Sequence, residues 1–166
     1  MSDLFRTELI ALLPRLRRFA LGLTADATEA DDLVQAGCER ALARRNQWQE
    51  GTRLDSWMFK LMQNLWIDQL RARKPTDDLA SEELEQLPGE DWQRGLEARM
   101  TLEQVMKAMH KLPPPMRAVL SLVCVEGLSY QDAASALEVP IGTVMSRLAR
   151  ARGALHAVLG GQHAPV

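Results

Sequence analysis

The chain of 166 residues holds two cysteines, three histidines and one tyrosine, and this scarcity narrows its chemistry before any motif is read. Cys38 and Cys124 stand far apart, with no Cys-x-x-Cys spacing and no nearby histidine pair, so neither a tetrahedral zinc site nor a disulfide framework can be assembled. Both read as small buried hydrophobes in a reducing, cytoplasmic compartment. His110, His156 and His163 are dispersed, no glycine loop could cradle phosphate, and no nucleophile has a base partner, so the expectation is no enzyme, no metal and no cofactor. No apolar run approaches the roughly 18 residues of a membrane span, and no charged start followed by an apolar stretch marks an export signal. Membrane insertion is therefore not expected. Alternation with period two is missing and β-branched residues are sparse, which leaves an all-α chain.

What is present is charge, unevenly placed. Residues 1–74 carry 12 Lys/Arg against 10 Asp/Glu, residues 75–103 carry 2 against 9, and residues 104–166 carry 6 against 3. The net charge of -2 is thus the result of one acidic segment between two mildly basic ones. Phosphate attraction depends on the local field, so both basic parts stay open to nucleic acid.

Apolar residues recur at helical spacing at Ile10, Leu13, Leu16, Ala20 and Leu23, with Pro14 a candidate kink, and again at Leu33, Val34, Cys38, Ala41 and Leu42, where Thr28 is the expected N-cap. Gly37 in the middle of that second helix should cost about 1 kcal/mol against Ala. Residues 46–53 read as a loop feeding a third helix over 54–74, stopped by Pro75. Residues 75–97 hold eight acids and two prolines, a linker composition. Periodicity returns from Leu102, breaks at Pro113 to Pro115 and resumes to Val125. The expected organisation is a helical domain over 1–74, a flexible acidic linker over 75–101 and a second small helical domain over 102–160.

Residues 129–152, SYQDAASALEVPIGTVMSRLARAR, read as two short helices joined by a tight turn. At about 100° per residue, Val144, Leu148, Ala151 and Leu155 form one buried stripe, while Ser146 and Arg150 fall opposite it, flanked by Thr143 and Arg147. Ser129 can cap the first helix, and Ala133 and Ala134 are small where the helices must approach. An arginine fork can bond guanine edges or hold phosphate, and Thr or Ser can supply shorter contacts, so the pattern points to a helix-turn-helix in the major groove of DNA.

In the third helix, Met58, Leu61, Met62 and Leu65 face inward, whereas Lys60, Asn64, Arg71 and Lys74 share the far side with Trp57 and Ile67. An aromatic ring beside basic and amide groups suits single-stranded nucleic acid. Trp57 reads two ways, as a stacking platform or as core; Trp48 and Trp66 read as core.

Together the stretches ADDLVQAGCERAL, LDSWMFKLMQNLWIDQLRARK and LPPPMRAVLSLVCVEGLSYQDAASALEVPIGTVMSRLARAR resemble the extracytoplasmic-function (ECF) sigma factors of the sigma-seventy family, over nearly the whole chain. The resemblance implies a promoter-specificity subunit of bacterial RNA polymerase core. Its first domain would recognise and open the minus-ten element through Trp57, Lys60, Asn64, Arg71 and Lys74. Its second would read the minus-thirty-five element through Thr143, Ser146, Arg147 and Arg150. Asp32, Leu33, Gln35 and Arg40, with Val34, would meet the beta-prime coiled coil; residues 49–54 would be the specificity loop; residues 119–123 would lie in the helix that helps dock the beta flap. An anti-sigma factor is the implied controlling partner. Three departures from the family pattern are visible: Glu138 stands where a turn glycine is usual, Met145 where Lys or Arg is frequent, and Ala36, Gly37 and Cys38 replace bulkier or acidic residues. The alternatives are a sigma mimic that sequesters an anti-sigma factor, and a stand-alone regulator using only the helix-turn-helix.

Overall fold

The computed structural model describes residues 2–73 and 102–160, and within them every regular element is helical. Lys74 and the acidic linker expected over 75–101 lie outside the described residues. The first domain contains α1 (Ser2–Thr24), α2 (Ala27–Ala43), a short 3-10 turn (Arg45–Gln47) and α3 (Leu54–Arg73); the second contains α4 (Leu102–Met109), α5 (Pro114–Leu120), a wide π turn (Ser121–Val125), α6 (Tyr130–Leu137) and α7 (Ile141–Gly160).

The helix signals were read to within a residue or two, and the differences have local causes. The N-cap of α2 is Asp26, whose carboxylate accepts from the Glu29 amide, and not Thr28: the chain turns at Ala25, in a left-handed conformation (φ 67°), and the helix starts two residues early. Pro14 lies inside a continuous α1. Ile10 and Leu42, expected inward, are 64% and 42% exposed: α1 and α2 bury narrower stripes than the sequence suggested.

Three helices make the first core. Leu16, Phe19, Leu23, Leu33, Met58, Phe59 and Met62 are fully buried, and the Phe19 and Phe59 rings meet at 5.0 Å between centroids. Gly37 earns its place here, since a Cβ at that position would sit 2.9 Å from Met62 Cγ. The close approach of α2 and α3 therefore offsets the helix-propensity cost of glycine. Trp48 and Trp66 do serve the core, Trp66 being 3% exposed and Trp48 packing its ring on Phe5 at 5.5 Å.

α3 is buried more broadly than its sequence stripe. Asp55, Phe59, Gln63 and Trp66 join Met58, Met62 and Leu65 in the interior, and the second domain packs against both α1 and α3. The buried residues of the two domains form one continuous cluster. At the seam α1 runs so close to the π turn that a Cβ on Gly22 would lie 3.5 Å from Ser121 Cβ. Charged pairs cross the same seam. The Glu126 side chain is wholly buried, held by Arg15 Nε at 3.0 Å and by Arg18 Nε and Nη2 at 2.8 and 3.0 Å.

Phe59 touches Phe19 and the Arg15 guanidinium, whose carbon lies 5.4 Å from the ring centroid. We expect Phe59→Ala to lower stability by about 3–5 kcal/mol, read as a reduced urea midpoint.

Candidate nucleic-acid interface

In the helix-turn-helix the sequence reading holds in detail. The Ser129 hydroxyl accepts from the Asp132 amide and caps α6, Ala133 and Ala134 are buried, and Val144, Leu148, Ala151 and Leu155 are all 3% exposed or less. Glu138 takes the left-handed conformation (φ 58°, ψ 45°) that the family usually gives to glycine, so the turn keeps its shape with a charged side chain at its tip. A non-glycine residue there costs about 1 kcal/mol.

On the outward side of α7, Ser146 is exposed, and Thr143, Arg147 and Arg150 are half-buried. The Ser146 hydroxyl donates to the Thr143 carbonyl at 3.2 Å. Burial lowers the Arg147 pKa from its ordinary value. Ile141 and Met145 stand 47% and 51% exposed beside them, so the face offers apolar contact where a further cation is frequent. Among the described residues, no hydrogen bond or ion pair ties Thr143, Ser146, Arg147 or Arg150 to the first domain.

The second candidate surface is the outer side of α3. Lys60, half-exposed, and Asn64, exposed, line an open cleft of about 210 Å³ with Trp57, Leu61, Arg44 and Gln47. This is below the roughly 300 Å³ at which drug-sized ligand pockets begin, and suits one flat heterocycle held beside a ring and cations. Trp57 packs on Phe5, with ring centroids 6.2 Å apart and planes at 77°, and is also one of the residues that line the cleft. Arg44 and Gln47 were missed in the sequence. Their signal was a pair of arginines just ahead of the loop, in a turn that no periodicity rule places. The loop over 49–54 is held by the Thr52 amide and hydroxyl, both bonded to the Gln49 carbonyl, and does not itself line the cleft. Arg71, further along α3, is exposed; no ion pair joins it to Asp68 among the described residues.

On α2, Asp32, Gln35 and Arg40 are exposed, and Gln35 Nε2 donates to Glu39 at 3.4 Å. Leu33 corrects the expectation: it is 0% exposed and fastens α2 to the core, so it offers no docking contact. Val34 is half-buried beside it. The cysteines also differ from expectation. Cys38 is half-buried, with burial pushing its thiol pKa up, whereas Cys124 is exposed at the end of the π turn and accepts from Arg152 Nη2 at 3.3 Å.

The profile of sigma-70 region 4 matches residues 102–155, and that of the sigma2 domain of PhyR matches residues 9–63. The ECF RNA polymerase sigma factor EcfG of Rhodopseudomonas palustris is 36% identical over 96% of this chain and 87% of its own length. The chain belongs to the ECF sigma factors. It is a transcription-initiation factor of two helical domains, corresponding to sigma regions 2 and 4. Its structure resembles that of the sigma factor RpoE from Bartonella quintana, solved with the anti-sigma factor NepR, at 29% identity and a TM-score of 0.74 over 96% of this chain and 98% of that one. CnrH, solved with the cytosolic domain of CnrY, shares the fold at 23% identity and a TM-score of 0.70, over 97% and 90% of the two chains. No described helix is long and apolar enough to cross a membrane.

The loop leading into α3 is pinned by Asp55. Burial pulls its carboxyl pKa up, but hydrogen bonds from Arg53 and the Ser56 amide, with the charges of Arg53 and Arg15, outweigh this and hold it below the ordinary value. A depressed carboxyl stabilises the fold above the unfolded pKa, near 3.9, and that contribution is lost as pH falls through the folded value. The stability gap between wild type and Asp55→Asn should therefore be full at neutral pH and close progressively below about pH 4, in urea titrations across the acid range.

Proposed function

We propose that this sigma factor divides promoter recognition between its two faces. The domain over 1–74 would recognise and open the minus-ten element on the outer side of α3, through Trp57, Lys60, Asn64, Arg71 and Lys74, with Arg44 and Gln47 completing a cleft for one unstacked base. The domain over 102–160 would place α7 in the major groove of the minus-thirty-five element, using Thr143, Ser146, Arg147 and Arg150, and the acidic segment over 75–101 would connect the two. The observation that carries this reading is the cleft: ring, amide and cations converge on a space the size of a base.

Asp32, Gln35 and Arg40 supply an exposed polar face for the beta-prime coiled coil of the polymerase core, and residues 119–123 approach the beta flap once the domains part. The protein works in the cytoplasm, binds no cofactor and catalyses nothing itself. Control by an anti-sigma factor fits the RpoE and CnrH structures, each solved with a partner chain of another protein.

A second reading, a mimic that sequesters an anti-sigma factor, draws on the match of residues 9–63 to the sigma2 domain of PhyR. Arg147 and Arg150 on α7 and the basic residues of α3 favour the first, since a mimic has no use for phosphate contacts.

Run-off transcription with purified core polymerase on the DNA upstream of the chain's own gene separates them. We expect a promoter-specific transcript from wild type. Arg150→Ala should lose about 1–3 kcal/mol of duplex minus-thirty-five binding, and Asn64→Ala should impair strand opening with duplex binding retained. A wild-type chain that gives no specific transcript on any candidate promoter is a mimic.

A further inference from the structure

The outward face of α7 carries apolar groups as well as cations. Ile141 and Met145 stand 47% and 51% exposed, outside the buried stripe of Val144, Leu148, Ala151 and Leu155 that fixes the helix. Four positions apart, they are neighbours along one edge of that face, with exposed Ser146 beside them and half-buried Thr143, Arg147 and Arg150 beyond. Neither belongs to the hydrophobic core nor packs against it.

Gly142 lies between the two in sequence and is exposed with them. Its φ is not left-handed, and a Cβ there would meet nothing within 4 Å beyond its own helix backbone and chain neighbours. Neither turn geometry nor packing inside the protein therefore calls for glycine at this position. What the missing side chain provides is room for another molecule to approach the first turn of α7, next to the apolar pair.

The chemistry of the pair selects what it touches there. The base edges of the major groove present hydrogen-bond acceptors, amino donors and one apolar group, the C5-methyl of thymine. A hydrocarbon chain and a thioether, at best a weak acceptor, hold neither phosphate nor the polar edges. Covering a methyl, by contrast, takes apolar surface of both partners out of water. The unbranched Met145 side chain, with three rotatable bonds, can follow that methyl as the groove varies. A lysine or arginine, frequent at this position in the family, would go to phosphate or guanine instead.

We propose that Met145, backed by Ile141, is a thymine reader: it covers the C5-methyl of a thymine on one strand of the minus-thirty-five element and sets a base preference that Arg147 and Arg150 do not supply. Methionine in place of a cation thus exchanges charge for sequence information at one point of the interface. The inference rests on reading α7 as the helix that enters the major groove.

The test uses holoenzyme assembled from the full-length chain and purified core polymerase. DNA from upstream of the chain's own gene, randomised over the minus-thirty-five segment, is selected for binding. Each thymine of the selected duplex is then replaced in turn by deoxyuridine, which pairs identically and lacks only the C5-methyl. One replacement should weaken binding about three- to fivefold, the worth of covering one methyl group. Met145→Leu should keep that ratio, and Met145→Ala should bring it to about 1 in a double-substitution cycle. Met145→Lys should also abolish it while steepening the log–log salt dependence of binding by about 1. Ile10→Ala, at an exposed apolar residue of α1, should leave the ratio as in wild type. A duplex with no methyl-sensitive thymine, or a sensitivity that Met145→Ala leaves intact, overturns the proposal. So does a Met145→Ala chain that loses every duplex equally with the ratio unchanged, which assigns the residue to a protein contact. In each of these cases the major-groove reading survives if Arg150→Ala weakens the selected duplex. Selection of no minus-thirty-five sequence, or full binding by Arg150→Ala, overturns that reading and the thymine contact with it.

Discussion

The arrangement of the two domains depends on the Glu126 carboxylate. Its side chain is fully enclosed, and two arginines of α1 supply three hydrogen bonds to it. Removing a charge from water costs several kcal/mol, recovered only with near-ideal partners. Arg15 and Arg18 are such partners, and they keep enough solvent contact for their other donors to remain hydrated. Buried pairs of this kind do little for net stability, but they specify geometry, because any other docking of the domains would strand the carboxylate. The close approach of Gly22 to Ser121 and the run of charges through Asp55 and Arg53 all lie around that point.

α3 is the helix on which the demands of the fold converge. Its inner face, Met58, Phe59 and Met62, closes the first domain against α1 and α2; Asp55 ties its start to α1; its outer face carries the donors that meet the helix-turn-helix. A helix packed on several sides is held rigidly, as the base-binding role proposed for its outer face would require. The outward residues Thr143, Ser146, Arg147 and Arg150 of α7 carry no such cross-domain bonds among the described residues.

The sequence disclosed whatever is local and periodic. The α7 stripe of Val144, Leu148, Ala151 and Leu155, the Ser129 cap, the ends of α1 and the start of α3 are set by contacts within a few residues, where helical geometry leaves one solution. Asp26 displaced Thr28 as a cap because a left-handed Ala25, invisible to pattern, sets the entry. Cys124, expected to be buried because no metal or disulfide pattern includes it, stands exposed within the π turn, a wide turn that helical periodicity does not signal. Leu33 was read as a docking residue through family resemblance, and its burial returns it to the role its helical position already indicated. The contacts across the seam were not legible. Arg15 and Glu126 are 111 positions apart, Asn64 and Glu138 are 74, and no local rule pairs them.

That illegibility has a physical meaning at Glu138. Considered only within the helix-turn-helix, the residue is a defect, a charged side chain in a conformation that costs about 1 kcal/mol against glycine. Considered with α3, it places a carboxylate on two polar donors. Each exposed contact of this kind is worth at most about 1 kcal/mol, so the strain and the gain are of similar size and the closed form is only weakly favoured at this edge. The buried seat at Glu126 fixes where the domains meet, and the marginal contact at Glu138 adds little to that choice.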